Sequence, residues 1–267
     1  MDFTFKVVLS FLVGGSYVAG VIWLSERLGS WVGGAVAGLP STILISLIFI
    51  AITSGPKTTQ TAVAIVPFMF FATLIYAVIF LEATIKFKKL KRHPGAIFVA
   101  SIAWLLAALI VKSLANIPFF VLVTISLVGL FAFRYWFRRF ATTKPIKIPL
   151  PRYIHLLRFL VGGAVIAAAV LAARFLGPVW GGIISSFPAM IGSILYFLNK
   201  SQGEVFLKGF LRRLPLGYIS SLIFIILVYT TITNLPIFLS FIIAMAGSLF
   251  YTFILIASKR FTRKPLS

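Results

Sequence analysis

Phe11-Leu12-Val13-Gly14-Gly15 recurs letter for letter as Phe159-Leu160-Val161-Gly162-Gly163, 148 residues further on. The same shift carries Gly29 onto Gly177, Gly33-Gly34 onto Gly181-Gly182, Pro40 onto Pro188, Gly55 onto Gly203 and Pro67 onto Pro215, without a gap. The chain is an internal duplication, and the duplicated material is apolar. Of 267 residues, 61% are hydrophobic and 11% charged, where a soluble domain carries roughly 25% charged residues. Mean hydropathy is +1.10. Apolar runs of about 20 residues recur along the chain, each long enough to cross a bilayer as a helix.

Nine spans are expected, at about 5–24, 32–53, 61–82, 96–115, 118–137, 154–175, 179–198, 211–232 and 236–257. The first has the look of a signal peptide, but span 6 repeats its pattern in mid-chain, where no signal peptide can stand. The loops orient the bundle. Lys86, Lys88, Lys89, Lys91 and Arg92 follow span 3; Arg134, Arg138, Arg139, Lys144, Lys147 and Arg152 follow span 5. Lys200, Lys208, Arg212 and Arg213 follow span 7, and Lys259, Arg260, Arg263 and Lys264 follow span 9. With the N-terminus outside and the C-terminus cytoplasmic, all four clusters meet the cytoplasm of a multi-pass cell-membrane protein. The opposite loops, Thr53–Gln60, Leu114–Pro118 and Thr233–Pro236, are nearly neutral apart from Lys57.

Five spans separate the starts of the two repeats. Five is odd, so spans 1–3 and 6–8 cross in opposite directions, an inverted pair of the kind that builds many transporters. Asn116-Ile117-Pro118 resembles Asn234-Leu235-Pro236 and would match span 5 with span 9. Parity instead pairs span 4 with span 9 and leaves span 5 as a connector. The expected fold is an all-α integral membrane protein of about nine helices in a 4+1+4 plan. Unit 1 covers 1–116, span 5 and its basic linker 117–152, and unit 2 with the basic tail 153–267.

The element that can carry chemistry is Gly33-Gly34-Ala35-Val36-Ala37-Gly38-Leu39-Pro40-Ser41-Thr42, with its partner Gly181-Gly182-Ile183-Ile184-Ser185-Ser186-Phe187-Pro188-Ala189-Met190. Proline lacks an N–H, clashes with the carbonyl four residues back and pushes the preceding residue out of the helical region. Spans 2 and 7 are therefore expected to break at 38–40 and 186–188. A half-helix that starts inside the membrane offers free N–H groups and a positive dipole end to an anion. Inversion lets the two breaks face each other near the midplane. The expected substrate-binding residues are Gly33, Gly34, Gly38, Pro40, Ser41, Thr42, Gly181, Gly182, Ser185, Ser186 and Pro188. Gly14, Gly15, Gly162 and Gly163 lack a proline or polar partner and read as packing glycines. Pro67 and Pro215 read as structural kinks.

Charge inside the spans is scarce. Glu26 and Arg174 are equivalent by the shift but fall on opposite sides after inversion, so they do not simply pair. Glu82 and Glu204 are expected to pair with a neighbouring Lys or Arg, and Lys112 to snorkel outward unless it faces a cavity. A buried-carboxylate proton relay is disfavoured, while sodium held by carbonyls and hydroxyls stays open. The net charge is +21; because the basic residues sit in short loops, it speaks for anionic lipid headgroups and not for nucleic acid. There is no cysteine. His93 and His155 lie in basic loops and do not read as ligands. No metal-ligand spacing and no convergent Ser/His/Asp set argues for catalysis, so neither enzyme activity nor a cofactor is expected.

Trp31, then Gly33-Gly34, then Pro40, followed by a polar Gly-containing loop and a helix with an early Pro67, resembles the GlpM-like group of small four-helix membrane proteins. Unit 2, about 153–258, looks most like one such protein, and unit 1 like a fused second copy with an extra span. The resemblance implies that inverted dimers of the small protein are equivalent to the fused form. A weaker resemblance is to the TauE/SafE anion exporters, whose halves carry a Gly-rich run before a Pro, with more consecutive glycines than here. The expected function is movement of a small anionic solute by alternating access. The rivals are a lipid or lipid-carrier translocase, which a laterally open groove would favour, and a non-transporting scaffold, which unbroken spans 2 and 7 would favour.

Overall fold

The structure, a computed structural model, describes residues 2–27, 39–86, 95–140 and 152–262. The chain is all-helical, with no strand among the described residues. The helices are α1 (Phe3–Arg27), α2 (Ser41–Ser54), α3 (Pro56–Lys86), α4 (Gly95–Ser113) and α5 (Phe119–Phe137) in the first half. The second half holds α6 (Arg152–Phe175), α7 (Pro178–Ser185), α8 (Ala189–Leu211), α9 (Leu214–Thr231) and α10 (Ile237–Thr262). Among the described residues, eight segments are long and apolar enough to cross a membrane, and α2 is a shorter apolar helix of 14 residues. The chain is a multi-pass membrane protein. The expected first half of span 2 lies largely outside the described residues.

The bundle has a centre and a rim. In its most apolar stretch α3 is 67% buried, Pro178–Phe197 61% and Gly203–Thr231 56%. Phe3–Trp23, Gly95–Ser113, Phe119–Phe137 and Ile237–Ala257 are each 28% buried, so these helices turn one side to lipid. Many of their outward residues are apolar, among them Phe98, Ile110, Phe131 and Phe253. Helix α4 packs along α3, α10 along α9, and α5 touches both α3 and α9.

The pairing of α1 with α6 is the most extensive in the bundle. Phe3 meets Phe175 edge-on, with ring centroids 5.8 Å apart, so the start of α1 lies beside the end of α6 and the two run antiparallel. Phe11 meets Phe159 in the same way at 5.7 Å. A Cβ added to Gly15 would stand 2.5 Å from the Phe159 carbonyl oxygen; one added to Gly163 would stand 2.6 Å from that of Phe11. Gly14 packs on Ile166 and Gly162 on Val18. Each contact is the other shifted by 148, with the partners exchanged. These glycines bring backbones together, the expected role of small residues in membrane helices.

The prolines and positive-φ glycines set the helix ends. Gly55 (φ 89°, ψ 169°) separates α2 from α3, and Gly203 (φ 77°, ψ −177°) interrupts α8 at the equivalent place. An L side chain is strained in that region. What was expected as the span 7–8 loop is thus helical on both sides of a one-residue break. Pro67 is inside α3, which continues through it, and Pro215 stands in the first turn of α9, where its missing N–H costs nothing. The second proline therefore starts a helix instead of kinking one.

Candidate functional site

Pro188 lies between α7 and α8, at the non-helical residues 186–188 where the break was expected. Pro40 precedes α2. The two prolines share one conformation, φ −76°, ψ 56° and φ −78°, ψ 45°. Across Pro40 the Ser41 N–H donates to the Leu39 carbonyl at 2.7 Å; across Pro188 the Ala189 N–H donates to Phe187 at 2.8 Å. Each proline is the centre of an inverse γ-turn, which reverses the chain just before a helix begins. The proline carbonyl then accepts the first helical bond, from Leu44 and from Gly192, both at 2.7 Å.

The two turns meet. The Ser41 hydroxyl donates to the Met190 sulfur at 3.0 Å, joining the first turns of α2 and α8. Around them lies a cavity of about 40 Å³. Its lining is built from repeat equivalents: Leu39 with Phe187, Pro40 with Pro188, Thr42 with Met190, Ile43 with Ile191, Phe70 with Tyr218, and Thr73 with Ser221. Phe70 and Tyr218 stack with centroids 4.9 Å apart. Six lining residues carry hydroxyls, Ser41, Thr42, Thr73, Ser186, Tyr218 and Ser221; those of Ser41, Thr73 and Ser186 donate to the Met190 sulfur and to the Met69 and Gly182 carbonyls. A volume of this size holds a few waters or a small ion, since one water needs on the order of 10–15 Å³ by this measure.

The expected site residues divide. Pro40, Ser41, Thr42, Ser186 and Pro188 line this cavity. Ser185 and Ser186 both donate their hydroxyls to the Gly182 carbonyl, at 2.8 and 2.9 Å, and close off the end of α7. Gly181 and Gly182 are packing positions: a Cβ on Gly182 would stand 2.0 Å from the Ala62 carbonyl oxygen, and one on Gly181 2.6 Å from the Ala173 Cβ. Gly33, Gly34 and Gly38 lie outside the described residues. The sequence reading missed Thr73, Tyr218 and Ser221, although the shift that matched the prolines also pairs Thr73 with Ser221.

A second, larger cavity of about 370 Å³ shares Phe187 and Pro188 with the first. Val18, Ile22, Leu157 and Val161 make its wall largely apolar, and Tyr76, Ser193 and Arg158 add polar groups. Arg158 is 3% exposed. Its Nε donates to the Ser193 hydroxyl at 2.9 Å and its guanidinium lies 5.2 Å from the centre of the Phe197 ring. The sequence reading did not single out this arginine, which falls inside the expected span 6. Tyr153, Leu157 and Val161, which border the cavity, are exposed on the outer side of α6, so the cavity reaches the lipid-facing surface.

Several other charges among the described residues have local partners. Glu82 pairs with Lys86 at 3.7 Å, and Glu204 pairs with Lys208, as expected for interfacial carboxylates. Lys112 sits over the Trp180 ring, 4.9 Å from its centre, and borders neither cavity. Lys6 donates to the Ile52 carbonyl at 3.1 Å, near the end of α2, where a cation suits the helix dipole. Among the described residues no three His, Asp or Glu side chains gather as metal ligands. No protein-family model, curated protein or solved structure matches the chain.

Proposed function

We propose that the protein is an inverted-repeat carrier that moves a small anionic solute by alternating access, with its site at the paired breaks. The observation that carries the reading is the meeting of the Pro188 break with the matching Pro40 turn at the start of α2, from equivalent places in the repeat, at one small cavity with hydroxyl-bearing residues in its lining. First-turn N–H groups of a helix have no acceptor within it and carry positive partial charge, which suits an anion. The antiparallel α1/α6 pair with exchanged contacts, the matched Gly55 and Gly203, and the packing of α4 on α3 and α10 on α9 support inversion and the 4+1+4 plan. The break at Pro188 speaks against a scaffold of unbroken spans. On this reading the GlpM-like pattern is that of two fused units, and the chain is a carrier and not an enzyme. It needs no cofactor, and its partners are the solute and membrane lipids.

The repeat also supplies the two access states. Ser193 and Phe197 border the larger cavity, while their equivalents Ile45 and Phe49 are buried at 7% and 6%. An inverted repeat places these two sets on opposite sides of the membrane. On this reading one side is open to the break and the other closed. Tyr153, at the open end, adjoins the basic linker, which the positive-inside rule puts in the cytoplasm; the state is inward-open.

Flux of phosphate, sulfate and small carboxylates into proteoliposomes tests the proposal. The wild type moves at least one of them, and Pro40→Ala and Pro188→Ala each lower the initial rate about tenfold by disturbing the elements that gate the site. Absence of flux for the whole panel overturns the transport reading. Wild-type rates in both variants overturn the site. A lipid or lipid-carrier translocase is the second reading, favoured by the opening of the larger cavity beside Tyr153, Leu157 and Val161. Transfer of a fluorescent anionic lipid between leaflets, measured by dithionite quenching, would establish it over the solute carrier.

A further inference from the structure

We infer that the cations at the end of α5 and at the α8–α9 junction form a binding site for an anionic phospholipid, its headgroup phosphate held by Arg138, Arg139 and Arg212 and an acyl chain laid along α5. The cluster is drawn together from two distant places in the chain. Arg138 and Arg139 directly follow α5, and both are exposed. Arg212, 72 residues beyond Phe140, donates from Nη1 to the Phe140 carbonyl at 3.0 Å. The Arg139 guanidinium and the Lys208 ammonium lie 5.5 and 5.9 Å from the centre of the Phe140 ring. Three cations thus converge on one aromatic residue, and Arg138 stands beside them, 3.6 Å over the Tyr135 ring.

Carboxylates of the chain do not balance this charge. There are four in all. Glu204 pairs with Lys208 and Glu82 with Lys86, while Asp2 and Glu26 stand at opposite ends of α1, which packs on α2 and α6. The stretch that follows the cluster, 141–151, adds Lys144 and Lys147 and no acidic residue. The ring and carbonyl partners of the three arginines orient a guanidinium and leave its charge in place. The positive-inside rule asks only for cations in a cytoplasmic loop. It does not ask that cations distant in sequence be fixed at one spot, where they repel one another until an anion lies between them. A planar guanidinium matches phosphate oxygens, and basic pockets between helices at the cytoplasmic face suit lipid headgroups. The helix surface supplies the other half of the ligand. Val128, Phe131, Tyr135 and Arg138 follow at helical spacing, so they share one face of α5. The first three are 65%, 57% and 64% exposed. An apolar stripe thus runs along the lipid-facing side and ends at the cations, with Tyr135 and Trp136 at headgroup depth, where such rings collect. An inorganic anion leaves this stripe unused, and a zwitterionic lipid leaves the charge unused.

The test is native mass spectrometry of the full-length chain in detergent. One arm is titrated with palmitoyl-oleoyl phosphatidylglycerol, the other with phosphatidylcholine bearing the same two acyl chains. Saturable binding of the phosphatidylglycerol is expected, about tenfold tighter than that of the phosphatidylcholine. Arg138→Gln combined with Arg139→Gln, both at exposed positions, raises its Kd about 25-fold, each cation at a lipid surface giving roughly a factor of five. Arg212→Gln, from the other side of the cluster, raises it about fivefold and decides the matter should the double variant fail to fold. Lys259→Gln combined with Arg260→Gln removes the same charge from the basic tail and leaves the Kd within about twofold, because the contact is local and not a general attraction. Equal binding of the two lipids, or an equal loss in the tail variant, overturns the inference. Displacement of the lipid by inorganic phosphate at the same concentration overturns it in favour of a free-anion site. Displacement by an equimolar oligonucleotide overturns it in favour of nucleic acid. The inference is separate from transport: lipid binding without flux removes the carrier reading alone, and flux without lipid binding removes this site alone.

Discussion

At the scale of single residues, glycine does two different jobs, and the repeat shows which is which. Gly15 and Gly163 lie against the carbonyls of Phe159 and Phe11 at 2.5 and 2.6 Å, counted from an added Cβ, while Gly20 has nothing within 4 Å. Gly15→Leu and Gly163→Leu must therefore push α1 and α6 apart, and each is expected to cost about 1–3 kcal/mol. Gly20→Leu stays within about 0.5 kcal/mol. Thermal unfolding in detergent micelles compares the three, and sensitivity at only one of the two contact glycines would break the reciprocity of the pair. Polar side chains follow the same economy. Ser185 is turned inward onto a backbone carbonyl, whereas Ser41 crosses from one repeat to the other. Hydroxyl content alone could not have separated them, because a serine near a helix end can bond its own backbone.

At the scale of elements, the breaks are what the amino-acid order announces most plainly. A proline inside an apolar run leaves few options, and Pro188 sits where it was expected to interrupt span 7. Pro67 and Pro215 carry the same letter and give other outcomes, a continuous helix and a helix start, because the surrounding bundle decides how a missing N–H is accommodated. The hydroxyls of Thr73, Tyr218 and Ser221 and the guanidinium of Arg158 were illegible for a different reason: they come from helices α3, α6 and α9, and only packing brings them to the breaks. Gly55 and Gly203 are a further element-level match, each at positive φ where an element ends or bends. Neither has any atom near an added Cβ, so a substitution there reports backbone strain alone. Gly55→Ala and Gly203→Ala are each expected to lose about 1–2 kcal/mol, read from the same unfolding transitions. A cost below the measurement error at both would show that the α2–α3 and α8 junctions relax to ordinary dihedrals.

At the scale of the whole molecule, the repeat turns one structure into a statement about two. If the halves are inverted equivalents, then every residue open on one side has a twin whose burial describes the other state. Ser193 and Ile45 are such twins, the first on the wall of the larger cavity and the second 7% exposed. The chain has no cysteine, so Ser193→Cys and Ile45→Cys each create the sole thiol, and a membrane-impermeant maleimide reads their accessibility directly. In inside-out vesicles Ser193→Cys is expected to label, and in right-side-out vesicles both variants are expected to stay protected. A saturating concentration of transported anion on the outer face should draw the population toward the opposite state. Only a ligand that binds the two states with different affinity can do so, and a tenfold difference moves the equilibrium by about 1.4 kcal/mol. Ile45→Cys labelling from outside then rises as Ser193→Cys labelling from inside falls. Ser193→Cys labelled only from outside would reverse the orientation read from the basic loops. Both thiols labelled from their own sides at the same time would describe a channel, and the exchange of burial between twins would then not be a transport cycle.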